Sequence, residues 1–347
     1  MLSLRLYGPN DLRLEDIPVP AIGRGEILLK TQAAAICGTD IRMWANGREG
    51  VDAAHPLILG HEFAGEIVAV GEGAPLFRPG MRVCMQPNIG CGLCGRCVGG
   101  EPHLCAAYKA FGINMDGALA EYVKIPAGAV ARGNLAPLPP GVTPAEAALA
   151  EPLSCAYNGF TKCRVQPGDQ ALVVGAGPIG CMHAQLLHMA GARVLLNDLS
   201  PQRLALCKER MPYVIPYGGD DLAGFVRAQT QGAGLDVAIT ACPVPAVQAA
   251  VLPLMNYGGR VNFFGGLPAG KEPVAIDTNL IHYKQLYVTG STRSSTAQFR
   301  KTLEFVAQGL IDLKGMITNT YPMAQALAAF ENAKAAQGIK HVIIFEG

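Results

Sequence analysis

Residues 171–203 constrain the fold of this chain more than any other stretch, because they combine a strand, a glycine turn, a helix, a second strand and an acidic residue. A short β-branched apolar run ends at Val174 and leads directly into the pattern G-x-G-x-x-G. Between a strand and a helix, this pattern is typical of a turn that binds the pyrophosphate of a dinucleotide at the helix N-terminus. The predicted cofactor-binding residues of this turn are Gly175, Gly177, Pro178, Ile179 and Gly180.

Asp198 follows the second predicted strand, residues 193–197, and indicates which dinucleotide binds. It lies eighteen residues after Gly180. A carboxylate at about that distance can accept the ribose hydroxyls of NAD and would repel the 2′-phosphate of NADP. Arg203 is expected to reach the edge of the ribose. We therefore predict an NAD site, whereas the glycine triplet alone would leave open an ordinary tight turn between a strand and a helix.

Charge and hydropathy limit the kinds of partner. The 347 residues include 28 Lys and Arg against 27 Asp and Glu, and this net charge of +1 would attract neither nucleic acid nor an anionic membrane. No apolar run reaches the roughly 18 residues of a membrane span, and no signal-peptide pattern is found. We expect a cytoplasmic protein of about two domains with a small-molecule substrate, and no nucleic-acid or membrane partner.

Four of the eleven cysteines lie on one glycine-rich loop with the spacing C-x2-C-x2-C-x7-C; they are Cys91, Cys94, Cys97 and Cys105. The loop has too little apolar content to pack by itself, and four thiolates close a tetrahedral zinc site with no open position for chemistry. A reducing compartment disfavours paired disulfides. A nucleic-acid zinc ribbon usually has two separated C-x2-C pairs among basic residues. We predict a structural zinc ion.

The order of the predicted elements indicates an α/β protein. Residues 1–35 contain short alternating runs punctuated by proline, which is typical of a small antiparallel β domain. A proline-rich connector at residues 135–144 precedes a helix-prone stretch. Strands and helices then alternate, as a doubly wound parallel sheet requires. The C-terminal remainder is too short for a third domain and is expected to pack onto the first.

Four further residues are ambiguous when each is considered alone. Cys37, His61 and Glu62 lie at junctions between predicted strands and turns, where they could converge. A single buried cysteine, however, is most often part of the core. Glu151 is an acid in an apolar helix-prone segment, where burial costs several kcal/mol unless the carboxyl group is paired, protonated or bound to a metal.

Together, five motifs carry a resemblance: Cys37-Gly-Thr-Asp, Gly60-His-Glu, the four-cysteine loop, Glu151-Pro-Leu and VVGAGPIG. This set resembles the zinc-dependent medium-chain dehydrogenases, and its Glu-Pro-Leu motif is closer to the sorbitol, threonine and sugar-alcohol branch than to the ethanol-oxidising branch. The resemblance implies a GroES-like β-rich catalytic domain of residues 1–153 and 291–347, and a Rossmann NAD-binding domain of residues 154–290. It also implies a homodimer or homotetramer.

The same resemblance implies the catalytic residues. Cys37 and His61 would bind a catalytic zinc ion, while Glu62 and Glu151 would ligate it directly, act through water or exchange with substrate. One thiolate, one imidazole and one carboxylate leave a coordination position open, where zinc can polarise an alcohol oxygen while the nicotinamide accepts hydride. Thr39 resembles the family's Ser or Thr that takes the alcohol proton, although a threonine stabilising a turn is the alternative. The chain would hold two zinc ions.

Three residues are candidates for substrate binding. Arg42 occupies the position where the family often has a proton-relay histidine, and arginine does not give up its proton in this pH range. It is expected to bind either the substrate or the cofactor pyrophosphate. Arg293 resembles an arginine that faces substrate hydroxyls in sorbitol dehydrogenases, with a solvated surface residue as the alternative. Trp44 would either line the pocket or pack in the core.

We therefore expect zinc- and NAD-dependent, reversible oxidation of a secondary alcohol of a polyol or sugar alcohol to the ketone. A sugar phosphate, a sugar acid or an amino alcohol such as threonine is the alternative substrate. A non-catalytic nucleotide-binding protein is a remote alternative, since it would be expected to lack the catalytic zinc residues. The sequence leaves open the substrate, the choice between Glu62 and Glu151 as direct ligand, the exit of the proton, and dimer versus tetramer.

Overall fold

The computed structural model describes residues 1–345; the last two residues of the expected catalytic domain, 346–347, lie outside the described residues. The chain forms two compact units. The first comprises Met1–Ser154, Arg293–Gly309 and the chain from Leu313 onward, and the second comprises Cys155–Thr292 and Leu310–Asp312. The chain thus passes between the units at 154/155 and 292/293, where the sequence suggested 153/154 and 290/291. Residues 310–312 pack with the second unit rather than the first.

Strands and short helices dominate the described residues. The strands are β1 (Leu2–Gly8), β2 (Asp11–Asp16), β3 (Ile27–Ala35), β4 (Leu57–Ile58), β5 (Glu62–Val70), β6 (Arg82–Met85), β7 (Asn88–Ile89), β8 (Lys109–Ala110), β9 (Tyr122–Ile125), β10 (Leu135–Pro137), β11 (Gln170–Val174), β12 (Arg193–Asn197), β13 (Ile215–Tyr217), β14 (Leu235–Thr240), β15 (Met255–Phe263), β16 (Tyr287–Gly290), β17 (Ile317–Pro322) and β18 (Lys340–Ile344). The α-helices are α1 (Gly38–Asn46), α2 (Gly95–Val98), α3 (Ala127–Ala131), α4 (Pro144–Ala148), α5 (Ala150–Lys162), α6 (Pro178–Met189), α7 (Pro201–Arg210), α8 (Leu222–Gln229), α9 (Pro245–Ala250), α10 (Thr278–Tyr283), α11 (Thr296–Ala307) and α12 (Ala326–Lys334). Within residues 1–345, no helix combines the length and apolarity that crossing a membrane requires.

A seven-stranded mixed sheet forms the centre of the first unit. Its strand order is β10-β6-β5-β3-β18-β17, with β9 also paired to β3. Strand β3 runs antiparallel to both β5 and β18, so the C-terminal part of the chain completes the N-terminal sheet. The apolar side chains on one face of these strands are fully buried, among them Ile27, Leu29 and Ile67. The sheet therefore holds the residues that precede β5 and α1 in fixed positions.

The second unit contains a six-stranded sheet of order β13-β12-β11-β14-β15-β16, in which all neighbouring strands are parallel. This is the doubly wound order, and the expected fold class is confirmed. Ala171, Leu172 and Val173 of β11 are fully buried in succession, as is typical of a parallel strand covered on both faces. The strand order reverses between β11 and β14, and ligands of such sheets bind outside the carboxyl ends of the strands at that point.

His183, on α6, is a buried histidine in apolar surroundings. Its side chain is fully buried, and neither ring nitrogen has a hydrogen-bond partner among residues 1–345. The ring packs edge-on against Phe264, with 4.9 Å between the ring centroids. Burial without a compensating charge lowers the pKa of His183 to about 3. The folded protein therefore keeps this imidazole neutral.

This burial predicts a specific acid sensitivity. Below about pH 6.5 the unfolded chain binds a proton at His183 that the folded chain does not bind until about pH 3, so the free energy of unfolding should fall through this window. At pH 5 the loss from this residue should be about 2 kcal/mol. Urea unfolding at pH 7 and pH 5 should show that His183→Leu removes about this much of the pH dependence. The exposed His282→Leu should behave as wild type, and equal pH dependence in both variants would contradict the prediction.

Candidate catalytic metal and cofactor sites

Asp40 fixes the backbone on which the metal-binding candidates stand. It is fully buried at the third position of α1, after the N-cap Cys37. Its Oδ2 accepts a hydrogen bond from the backbone N–H of Cys37 at 2.9 Å, and its Oδ1 accepts one from Gly60 at 3.3 Å. One carboxylate therefore joins two segments that are distant in sequence. Sequence reasoning assigned Asp40 no role, although an acid three residues after an N-cap is the spacing of a capping box.

Cys37, His61 and Glu62 converge in the first unit. One ligand atom from each lies within 4.8 Å of the other two; His61 and Glu62 are buried and Cys37 is half-buried. Gly60 permits this arrangement, because its φ is +92° and a Cβ there would lie 3.0 Å from the backbone nitrogen of Leu119. A thiolate, an imidazole and a carboxylate are the donor types that zinc prefers. The donor set fits a zinc ion.

The negative charges around His61 favour the protonated imidazole. His61 Nδ1 faces Asp40 Oδ1 at 3.5 Å. Burial alone would lower the pKa of His61, but the negative charges of Cys37 and Asp40 outweigh it and raise that pKa well above the usual value. A metal ion binding here would displace the proton from the imidazole.

Lys340 is the second residue that sequence reasoning missed. It is the first residue of β18, and its side chain is 4% exposed. Its Nζ lies 2.5 Å from Glu62 Oε2 and donates a hydrogen bond to the carbonyl oxygen of Ile36 at 2.9 Å. Burial alone would lower the pKa of Lys340, but the charges of Glu62 and Cys37 raise it, so the ammonium stays charged. A single lysine before a C-terminal strand carries no sequence signal for such a position.

Glu151 and Thr39, two further candidates for the catalytic site, lie on different helices. Glu151 lies in the first turn of α5, is 7% exposed and stands outside the group of Cys37, His61 and Glu62. Thr39 lies on α1, where its Oγ1 accepts a hydrogen bond from Arg42 Nη2 at 2.8 Å. The Arg42 side chain is exposed. The structure thus groups Glu62, rather than Glu151, with the cysteine and histidine.

Arg293 and Trp44 have partners within the first unit. Arg293 has a φ of +53°, donates a hydrogen bond to the carbonyl oxygen of His103 and places its guanidinium 3.9 Å from the ring centroid of Tyr108. These contacts direct it towards the four-cysteine loop. Trp44 is 7% exposed and packs edge-on against Phe330, with 5.9 Å between ring centroids. This position favours the core alternative for Trp44 and a structural role for Arg293.

The four cysteines of residues 91–105 form a second metal-ligand group. Their Sγ atoms all lie within 4.8 Å of one another, and those of Cys91 and Cys97 are 4.0 Å apart. Tetrahedral zinc with bonds of about 2.3 Å requires about 3.8 Å between sulfur atoms, so the spacing fits. Hydrogen bonds from the backbone N–H groups of Leu93 and Cys94 lower the pKa of Cys91 to about 6. All eleven cysteines lie within the described residues and are free thiols there.

The dinucleotide turn follows β11 in the second unit. Gly175 has a φ of +110°, and a Cβ on Gly180 would lie 1.7 Å from the carbonyl oxygen of Gly175, so both positions require glycine. Gly177 is different, because a Cβ there would meet nothing within 4 Å. Space beside the backbone at Gly177 fits the approach of a pyrophosphate. Pro178 and Ile179 begin α6, as predicted.

Asp198 stands directly after β12, where its carboxylate is held by backbone groups. Its Oδ2 accepts a hydrogen bond from Ala176 at 2.7 Å and its Oδ1 accepts one from Ser200 at 2.8 Å. Each carboxylate oxygen can accept a further bond, so the group retains capacity for ribose hydroxyls. Arg203 lies in the first turn of α7, whose N-cap is Ser200.

Family comparisons agree with this geometry. The alcohol dehydrogenase GroES-like domain family matches residues 23–137, and the zinc-binding dehydrogenase family matches residues 178–308. Sorbitol dehydrogenase of Bacillus subtilis strain 168 is 31% identical, over 96% of this chain and 93% of the relative. L-threonine 3-dehydrogenase of Chelativorans sp. BNC1 is 34% identical, over 89% and 88%. L-galactonate-5-dehydrogenase of Escherichia coli K12 is 30% identical, over 97% of each.

Solved structures extend the likeness to the whole chain. An Escherichia coli CFT073 protein described as a short chain alcohol dehydrogenase, complexed with NADH, superposes with a TM-score of 0.89 at 28% identity, over 99% of each chain. A zinc-binding dehydrogenase of Sinorhizobium meliloti 1021, bound to NADP, gives 0.88 at 30% identity, over 99% of this chain and 98% of the other. This chain belongs to the zinc-dependent medium-chain dehydrogenase family and is a zinc-dependent oxidoreductase.

The two ligand groups predict two zinc ions per chain with different consequences. Cys97→Ser should lose one ion and lower the thermal stability, because a closed four-thiolate site contributes folding energy. Cys37→Ser should lose the other ion and mainly abolish turnover. Metal analysis by mass spectrometry, with activity and melting temperature, measures both effects.

Cys163→Ser supplies the control, because this buried thiol belongs to neither group, and the variant should retain two ions. A wild-type chain with a single zinc ion, or a Cys37→Ser enzyme with full turnover, would contradict the two-site account.

Proposed function

We propose that this protein catalyses the reversible, NAD-dependent oxidation of a secondary alcohol of a polyol or sugar alcohol to the ketone. The observation that carries the proposal is the buried convergence of Cys37, His61 and Glu62 in a chain that also has the glycine turn and Asp198. A zinc ion held by the first three residues would supply Lewis-acid chemistry. The nicotinamide ring of NAD would accept the hydride.

The residues around the metal ligands determine how a proton can be handled. Thr39 Oγ1 accepts a hydrogen bond from Arg42 with one lone pair, so its second lone pair can accept the proton of an alcohol while its own O–H donates to water or a carboxylate. A guanidinium group has five N–H donors and no acceptor, so Arg42 cannot take a proton from Thr39. Its positive charge favours any negative charge that develops near the hydroxyl. The proton then leaves through water or a carboxylate.

Three substrate classes have support from the relatives. Their names specify a polyol, an amino acid and a sugar acid. The second candidate for the substrate, after a neutral polyol, is therefore a sugar acid or threonine, and a sugar phosphate is the remaining alternative that the sequence suggested. The exposed guanidinium of Arg42 favours that second candidate if it faces the substrate, because a phosphate or carboxylate would pair with it.

An activity screen with NAD over polyols, their phosphates, sugar acids and amino alcohols tests the proposed function, with Arg42→Ala measured beside the wild type. If Arg42 holds the cofactor pyrophosphate, the variant should have a raised KM for NAD and an unchanged ranking of substrates. If Arg42 binds substrate, the variant should lose its preference for the anionic compound by about tenfold or more, since 1.4 kcal/mol is a factor of ten.

Arg48→Ala is the matched control, because this exposed arginine follows α1. It should leave both KM values and the ranking unchanged. Absence of turnover with every alcohol, in a protein shown to hold two zinc ions, would refute the proposed function.

The preference for NAD is proposed on Asp198. One similar protein of known structure is bound to NADH and another to NADP, so similarity to solved structures does not indicate which cofactor this chain prefers. The carboxylate of Asp198 is what supports a preference for NAD. Asp198→Ala should narrow the ratio of kcat/KM for NAD over NADP by about tenfold or more, because repulsion of the 2′-phosphate is removed. The exposed Asp220→Ala should keep the wild-type ratio. A wild-type preference for NADP would contradict the proposed role of Asp198.

A homodimer or homotetramer is also proposed. Strand β16 ends the sheet of the second unit, and its outer edge pairs with no other strand within residues 1–345. Three tyrosines of that unit, Tyr257, Tyr283 and Tyr287, are 77%, 73% and 45% exposed. An open strand edge and exposed aromatic rings support association with a second copy of the chain.

A further inference from the structure

Two cysteines that belong to neither metal-ligand group lie side by side against the cofactor turn. Cys181 is on α6 and Cys207 is on α7, both side chains are fully buried, and their Sγ atoms are 3.3 Å apart. The two helices follow the neighbouring parallel strands β11 and β12, and successive right-handed crossovers place such helices on the same face of the sheet. Packing of α6 beside α7 therefore brings the two thiols together.

The spacing of this pair fits a bond between the two sulfur atoms better than a metal ion. Sulfur atoms bound to one tetrahedral zinc ion lie about 3.8 Å apart, and those of Cys91 and Cys97 are 4.0 Å apart. Within residues 1–345, no third histidine, cysteine or carboxylate completes a metal-ligand group with Cys181 and Cys207. A disulfide requires about 2.05 Å between its Sγ atoms, so the pair at 3.3 Å would have to close by about 1.3 Å.

A hydrogen bond within the pair makes the two thiols chemically unequal. With Cys181 as the donor, this bond lowers the pKa of Cys207, whereas the same bond and burial raise the pKa of Cys181 well above the usual value. The thiolate rather than the thiol reacts with an oxidant. Cys207 is therefore the sulfur that is oxidised first.

Helix α7 gives an oxidant a route to this buried pair. Of its ten residues, only Leu204 and Cys207 are buried. A segment with few buried apolar contacts opens locally at a lower free energy than global unfolding requires. Brief outward movement of α7 therefore exposes Cys207 while the sheet of the second unit stays folded.

Both thiols also contact the backbone of the cofactor turn. The Sγ atoms of Cys181 and Cys207 each lie 3.7 Å from the carbonyl oxygen of Ala176, whose N–H donates to Asp198 Oδ2 at 2.7 Å. A disulfide has no S–H group, so oxidation leaves this carbonyl oxygen without a thiol donor. Helix α6 has no room to absorb the movement, because a Cβ on Gly180 would lie 1.7 Å from a carbonyl oxygen of the turn. Closing the pair should therefore displace the turn.

We propose that Cys181 and Cys207 are a reversible oxidation site whose disulfide weakens dinucleotide binding. Hydrogen peroxide oxidises Cys207 to the sulfenic acid and is itself reduced to water. The thiol of Cys181 then attacks that sulfur, and the hydroxyl group leaves with a proton as a second water molecule. Two thiols and one peroxide thus give one disulfide and two water molecules, and an added dithiol reverses the oxidation. The inference goes beyond the proposed function and does not depend on the substrate.

Oxidation of the zinc-loaded protein with hydrogen peroxide provides the test. Treated wild type is digested without reduction and analysed by mass spectrometry, and the NADH affinity is measured by the fluorescence of the bound cofactor. A pair of peptides joined through Cys181 and Cys207 should appear. The dissociation constant for NADH should rise about tenfold or more, and dithiothreitol should reverse both changes.

Three variants separate this disulfide from oxidation elsewhere in the chain. Cys207→Ala and Cys207→Ser cannot form it and should keep their NADH affinity under the same treatment. Ser retains a hydroxyl donor towards Ala176, so it preserves the test if Ala impairs folding. Cys163→Ser removes a fully buried thiol of the second unit that lies outside the pair, and it should respond to peroxide as the wild type does.

The zinc content, measured with a chromophoric chelator before and after treatment, shows whether the metal-binding thiolates took part, and it should stay unchanged. Absence of the linked peptides, or linked peptides with an unchanged NADH affinity, would overturn the inference. So would an equal loss of NADH affinity in the wild type and in both Cys207 variants. Loss of zinc accompanying that result would assign the effect of peroxide to the metal ligands instead.

Discussion

The buried carboxylate of Asp40 is the interaction on which the candidate site depends. It accepts backbone hydrogen bonds from Cys37 and Gly60 and faces His61, so the residues before α1 and those before β5 are held together by a single side chain. A fully buried acid is costly unless all its partners are present. The same carboxylate that satisfies the backbone also contributes to raising the pKa of the His61 imidazole, so one side chain both holds the metal-ligand candidates together and sets the charge around them.

Local sequence patterns predicted the cofactor turn closely, because everything needed is contained in one strand, one turn and one helix. Gly175 is required by its φ of +110° and Gly180 by the carbonyl oxygen of Gly175, and Asp198 stands where the next strand ends. The four-cysteine group was equally accessible, since its ligands share one loop. The fold class followed from the alternation of strands and helices, and the convergence of Cys37 with His61 followed from a family resemblance rather than from spacing.

Contacts between distant parts of the chain could not be predicted in this way. Lys340 and Glu62 are 278 residues apart in sequence and meet only because β18 adds to β3. For Trp44 and Arg293 the sequence suggested a place in the substrate pocket. In the structure Trp44 packs against Phe330 and Arg293 lies over the ring of Tyr108, both within the first unit. Glu151 is buried as its apolar setting implied, yet the structure groups Glu62 with the cysteine and the histidine. The type of a residue shows which ligands or reactions its side chain could serve, but contacts between distant parts of the chain determine which side chains lie together.

The central claim is that one chain holds a closed four-thiolate metal site and a separate site made by Cys37, His61 and Glu62. Anomalous X-ray scattering from crystals of the protein, recorded on both sides of the zinc absorption edge, tests this claim most directly. The account predicts two zinc peaks per chain, one among Cys91, Cys94, Cys97 and Cys105 and one within bonding distance of Cys37 Sγ, a His61 ring nitrogen and Glu62 Oε1. A single peak at the four cysteines, or a second peak that Glu62 does not contact, would contradict it.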